Sequence, residues 1–148
     1  GTVEGLADGF VDDVEAGHTY VLGPGGTLGT IKEKLGIDGT ALGVDVVRDG
    51  EVLVADGAAD EIAAVLGDHN TVVVSPIGGQ GFIFGRGNQQ ISPEIIRNAE
   101  VEIVASRRKL EDIGALRVDT GDAELDESLR GWQRVRVGRY ETRLVEVV

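Results

Sequence analysis

The chain is 148 residues long, the length of one ordinary domain, with 26 Asp and Glu against 14 Lys and Arg for a formal net charge of -12. So acidic a chain is repelled by phosphate backbones and anionic lipid, which argues against nucleic-acid and membrane partners, and with no cysteine it has no disulfide, thiol chemistry or thiolate metal site. No apolar run approaches the roughly 18 residues of a membrane span, and a 41% hydrophobic fraction is ample for a core.

Thr2 reads as the N-cap of a first helix with Val3, Leu6, Phe10, Val11 and Val14 at helical spacing. A chain that opens on a helix cap and contains no Met reads as a fragment cut from a longer protein at a domain boundary. Thr19 to Leu22 is a short apolar strand running into Gly23-Pro24-Gly25-Gly26-Thr27, and a helix follows through Ile31 and Leu35, closed by Gly36. Ala41 to Val47 and Glu51 to Val54 are β-prone runs joined by Arg48-Asp49-Gly50, a strong hairpin signal. Ala59 to Leu66 predicts a helix stopped by Gly67. Thr71 to Val74 is the continuous apolar type of strand that a sheet covers on both faces.

Pro76 to Gln90 is the longest irregular stretch. Ser92 then caps a helix with Pro93 in its first turn, Val101 to Ala105 is a second buried-type strand, Lys109 to Ile113 a short helical turn, and Asp122 to Leu129 a helix. Trp132 to Val137 and Tyr140 to Val147 alternate apolar and polar residues around Gly138-Arg139, which predicts an antiparallel hairpin. The whole is a single α/β domain (residues 1–148): a mixed, mostly parallel sheet, helices on both faces, and a C-terminal antiparallel hairpin.

The charges are unevenly placed. Residues 1–74 hold 14 acids and 3 bases, whereas residues 75–148 hold 12 acids and 11 bases, so an anionic ligand is expected in the second half. Among the bases, 11 are Arg and only 3 are Lys. Excess carboxylate with little Lys suits a salt-rich cytoplasm, where screening contracts to about 3 Å near 1 M salt, and predicts a halophile's cytoplasmic protein.

Ligands of open α/β sheets gather beyond the carboxyl ends of the strands. Three segments fall there. Gly23, Gly25, Gly26 and Thr27 lie between a strand and a helix, where backbone amides, a helix N-terminus and a hydroxyl suit an anion; the same glycines also suit a plain tight turn. No Gly-Lys-Ser/Thr follows, so this is not a Walker loop. In the second segment, Gly78, Gly79, Gln80, Gly81, Arg86, Asn88, Gln89 and Gln90 make a loop of glycines and carboxamides that can wrap a polar ligand. Amides there meet ribose hydroxyls or a base edge, and Arg86 meets phosphate. Phe82 and Phe84 are expected to pack inward. Asp45, inside an apolar run, is either a ribose or metal ligand or a carboxylate facing solvent near a strand end. His18 and His69 lie in polar turns and read as surface residues. Trp132 reads as core or interface. No nucleophile, base and acid set, and no paired metal-ligating His, is visible, so no catalytic residue and no metal ligand is assigned.

The run Pro76-Ile77-Gly78-Gly79-Gln80-Gly81-Phe82-Ile83-Phe84-Gly85-Arg86-Gly87-Asn88-Gln89-Gln90-Ile91-Ser92-Pro93-Glu94 resembles the signature of the archaeal and bacterial ATP-NAD kinase (AcoX-like) family. Tyr20 to Gly25 and Leu42 to Val47 are similar to the same family in matching order and spacing. The resemblance covers nearly the whole chain and corresponds to the second half of such proteins. It implies a nucleotide-binding C-terminal domain of an enzyme that phosphorylates NAD to NADP, with ATP or polyphosphate as donor and a divalent metal such as Mg in the parent enzyme. The family's Gly-Gly-Asp-Gly-Thr segment, with its catalytic Asp, is absent here. The resemblance therefore places catalysis in an N-terminal kinase domain and leaves this fragment inactive alone. One departure stands out: where the family carries a Thr-rich stretch and an Arg after Gly-Pro-Gly, this chain has Gly26-Thr27-Leu28-Gly29. The expected partners are NAD or another nucleotide, the missing domain and a second copy in a homo-oligomer, with Trp132 and the terminal hairpin as contact. A non-catalytic phosphosugar- or nucleotide-sensing module is the rival reading.

Overall fold

The computed structural model describes residues 2–148. Helix α1 (Val3–Asp12) begins where its cap predicts: the Thr2 hydroxyl accepts the Gly5 amide at 2.9 Å, and Leu6 and Phe10 are buried. Strand β1 (Thr19–Leu22) leads through the first glycine loop into α2 (Gly26–Lys34). The hairpin β2 (Asp45–Arg48) and β3 (Glu51–Val54) turns at Asp49-Gly50, both with positive φ, as the Asp-Gly pair predicts. Then come α3 (Ala59–Ala64), β4 (Asn70–Val74), β5 (Phe82–Phe84), α4 (Pro93–Arg97), β6 (Glu100–Val104), α5 (Arg107–Ile113), β7 (Arg117–Val118), α6 (Ala123–Leu129), β8 (Gly131–Arg136) and β9 (Thr142–Val147).

Seven strands form the main sheet in the order β3-β2-β1-β4-β6-β8-β9. Its centre, β1-β4-β6-β8, is parallel, and an antiparallel strand or hairpin closes each side. Every residue of β4 is buried, which is why its sequence is a continuous apolar run with no alternation. Helices α1 and α2 cover one face, packing Leu6, Phe10, Leu28 and Ile31 on Leu22, Val73 and Val104. Helices α3 to α6 cover the other, packing Ile62, Ile95, Leu110 and Leu125 against Val21, Val72, Ile103 and Val135. Among the described residues no helix is long and apolar enough to cross a membrane.

Four expectations are corrected. The run from Ala41 is strand only from Asp45. Leu42 is 87% exposed, because the chain first bends so that Thr40 and Gly43 can reach Lys32. The irregular stretch contains β5, which pairs in parallel with β7 as a separate two-stranded sheet; three residues are too few to show a period. Of the two readings for Trp132, core or interface, core is excluded: it is 67% exposed and points to the sheet face opposite the buried Val135. His18 is not a simple surface residue. Its ring is largely covered, stacks on Tyr20 at 5.0 Å and meets the Thr71 hydroxyl at 2.9 Å.

Candidate functional site

Three parallel strands end side by side, and a cleft of about 350 Å³ opens beyond them. From the end of β1 come Gly25, Gly26 and Thr27; from the end of β4, Ser75 and Gly78; from the end of β6 and the first turn of α5, Ser106 and Lys109. This is where strand topology places ligands in such sheets. Gly25 has φ +111°, a backbone that only glycine adopts without strain, and its amide is held by the Ala41 carbonyl at 3.0 Å. No side chain caps α2, so the amides of its first turn face the cleft without an internal partner. Lys109 donates to the Gly78 carbonyl at 2.9 Å, closing the rim. Ser106 is the N-cap of α5, accepting the Lys109 amide at 3.2 Å.

The predicted residues are thus only partly brought together. Gly25, Gly26, Thr27 and Gly78 line this cleft. Gly23 lies behind it, extending the ladder by donating to the Val73 carbonyl at 2.9 Å. Gly79 and Gln80 line a neighbouring hollow with Phe82, Ile113 and Arg117. Gly81 is buried against the Ala115 carbonyl. Arg86 is half exposed, paired with Asp119 at 3.1 Å and stacked over the Phe82 ring at 4.2 Å. Gln89 is exposed and Gln90 half-buried.

Asn88 is fully buried, donating to the Ile83 carbonyl at 2.9 Å and accepting the Gly85 amide at 3.2 Å. Its carboxamide is spent on folding the loop, where a ligand contact was expected. Asp45 differs most from expectation, being neither solvent-facing nor open to a ligand. It is fully buried and accepts from Lys32 Nζ at 2.8 Å, from the Thr40 amide at 2.7 Å and from the Asp56 amide at 2.9 Å. Burial pushes its carboxyl pKa up, but the Lys32 ammonium and the two amides outweigh that and hold it below the usual value.

Sequence reasoning missed Lys109 and Ser75. Lys109 reads as one base on a short helix, and Ser75 as the end of an apolar strand; only the topology puts them opposite the first glycine loop. A larger groove of about 460 Å³ lies on the α1 side of the sheet, but Asp13, Glu15, Glu100 and Glu102 line it. Its Arg136 is already shared between Asp13 at 2.8 Å and Glu102 at 3.3 Å. The groove is a poor host for an anion. The cleft at the strand ends contains no carboxylate or imidazole, and among the described residues no group of three His, Asp or Glu could hold a metal.

Comparison with curated proteins and with solved structures gives no match. The family model for the ATP-NAD kinase C-terminal domain matches residues 15–147. That span runs from the turn before β1 to the end of β9 and contains all three strand ends that build the cleft, so the chain belongs to the ATP-NAD kinase C-terminal domain family.

Proposed function

We propose that this domain binds a nucleotide, NAD or ATP, as the C-terminal part of an NAD kinase that makes NADP. The observation that carries the reading is the convergence of Gly25 to Thr27 and Gly78 at adjacent parallel strand ends, within a chain of this family. The catalytic base and any metal ligands come from the preceding kinase domain; the residues here bind and orient. Calorimetric titration with NAD, ATP and a panel of sugar phosphates tests the reading. Saturable binding of NAD or ATP is the expected result, and binding of sugar phosphates alone would overturn it in favour of a sensing module.

The protein is proposed to work in a salt-rich cytoplasm and as a homo-oligomer. Support for the first is the charge of -12 with few lysines. Support for the second is one face of the terminal hairpin, where Trp132 and Leu144 are 67% and 62% exposed. Sedimentation in molar KCl reads the oligomeric state directly, and a monomer at all concentrations would remove that part.

A further inference from the structure

The cleft beside the loop that follows β1 has no carboxylate in its lining, although the protein is strongly acidic. Of 26 Asp and Glu, none lines it. It presents one ammonium, Lys109, and the hydroxyls of Thr27, Ser75 and Ser106. Ser75 is more than nine-tenths buried, borders the cleft, and its hydroxyl has no hydrogen-bond partner among the described residues. The enclosed unpaired side-chain atom among the described residues is Arg107 Nε and not Ser75 Oγ, so the Ser75 hydroxyl opens onto the cleft and is free to donate to a ligand there.

Gly26 is the second such sign. Its φ is ordinary and a methyl group there would meet nothing within 4 Å, so the fold does not require glycine. Glycine in a helix is unfavourable relative to alanine, and its use at the first position of α2 keeps the approach to the uncapped amides clear. Alanine would project into open space on that approach. Lys109 stands opposite, its Nζ held at 2.9 Å from the Gly78 carbonyl, a neutral acceptor that a phosphoryl oxygen readily displaces.

We propose that this cleft is a phosphoryl subsite in which Lys109 supplies the positive charge, Ser75 and Thr27 donate hydroxyl hydrogens, and the first-turn amides of α2 complete the cradle. The proposal rests on the nucleotide-binding reading and deepens it by naming where a phosphate group sits and which cation meets it. Ser106 is a positioning residue: by capping α5 it fixes the turn that carries Lys109.

The test is calorimetric titration of the 148-residue chain at constant ionic strength with inorganic phosphate, pyrophosphate, tripolyphosphate, NAD, ATP and adenosine. Lys109→Met is expected to weaken pyrophosphate, tripolyphosphate and nucleotide binding by about tenfold or more, the scale of a charge-assisted hydrogen bond. Ser75→Ala should weaken them by about two- to tenfold, the scale of a neutral one. Gly26→Ala should also weaken them while the protein stays folded, with its melting temperature unchanged or higher. Lys34→Ala is the control, because Lys34 pairs with Glu4 and Asp8 away from the cleft and its loss should leave every affinity unchanged.

The outcomes separate the two claims. Nucleotides binding to Lys109→Met as tightly as to the parent would overturn the subsite and leave the nucleotide reading standing. Lys109-dependent binding of pyrophosphate with no binding of NAD or ATP would support the subsite and overturn the nucleotide reading. Adenosine binding as tightly as ATP would overturn the subsite as well, since it lacks the phosphoryl oxygens. No binding of any compound would overturn both.

Discussion

Replacing Asp45 by Asn tests whether the carboxylate is a structural element or a ligand contact. The side chain keeps its size but loses its charge, and the Lys32 ammonium, 3% exposed, is left with neutral acceptors alone, the Thr40 and Gly43 carbonyls at 2.7 and 3.2 Å among them. One amide hydrogen of the new Asn must also face a backbone donor, because Thr40 N and Asp56 N both point at the carboxylate. Breaking one side of a buried pair costs about 3–5 kcal/mol. Unfolding entropy of roughly 2.1 cal/mol/K per residue over 148 residues converts that into a melting temperature lower by about 10–16 °C. Urea unfolding and calorimetry at pH 7 measure both numbers. In the double variant Lys32→Met/Asp45→Asn most of the loss should return, because the uncompensated charge is gone. An Asp45→Asn protein within about 1 kcal/mol of the parent, yet unable to bind nucleotide, would refute the structural role and restore the ligand role.

The pH dependence of the same pair has a definite sign. Burial raises the Asp45 carboxyl pKa, but the Lys32 ammonium with the Thr40 and Asp56 amides lowers it by more, so its folded value lies below the unfolded one. The stability it contributes is therefore complete above the unfolded carboxylate value near 3.9 and is lost as pH falls through the lower folded value. Below about pH 4 the melting temperature of the parent should drop more steeply than that of Asp45→Asn, and parallel curves would contradict the assignment.

Asn88→Ala should destabilise by about 2–3 kcal/mol, because the buried Ile83 carbonyl and Gly85 amide lose their partner, whereas Gln89→Ala on the exposed side of the loop should change the urea midpoint by less than about 0.5 kcal/mol. Gly85→Ala should be worse than either, about 4 kcal/mol or more, since φ is +91° and the methyl group would overlap the Asp119 carbonyl; a folded variant with parental circular dichroism and melting would be inconsistent with that approach. The melting temperature should rise between 0.1 and 2 M KCl as the 14 acids and 3 bases of residues 1–74 are screened, and a flat curve would remove the salt-adapted reading.

Most elements were legible because each carries its own local signal. Thr2, Ser92 and Asp122 cap helices with the hydroxyl or carboxylate the sequence offers, and Asp49-Gly50 makes the turn it spells. The unbroken apolar run of β4 predicts a strand covered on both faces, and it is one. What escaped lacks a period or a local mark. β5 and β7 are three and two residues long and exist because Gly85 lets two loops approach; neither has enough alternation to be seen. Asp45 was ambiguous for a different reason. A carboxylate among valines looks the same whether it faces a ligand or a buried cation, and the cation, Lys32, lies 13 positions earlier on a helix whose inward face is set by tertiary packing alone.

The candidate site follows the same logic from the other side. The glycine and carboxamide loop lies within the family match, yet much of its pattern serves the loop itself: Asn88 ties Ile83 to Gly85, Arg86 closes on Asp119 and Phe82, and Gly81 and Gly85 allow contact with the chain near β7. A conformation that needs so many particular residues produces a recognisable sequence whether or not each one meets a ligand. The open surface is instead assembled from two short runs, Pro24 to Thr27 and Ser75 to Gly78, together with Ser106 and Lys109, at three strand ends. Parallel topology does the assembling, since it brings the C-termini of β1, β4 and β6 to one edge regardless of how far apart they lie in the chain. In a protein whose first half carries most of its negative charge, that edge stays free of carboxylate even though Gly25 to Thr27 belong to the acidic half. The absence of carboxylate at one place, inside a sequence that accumulates it elsewhere, is visible only once the fold shows which residues share the place.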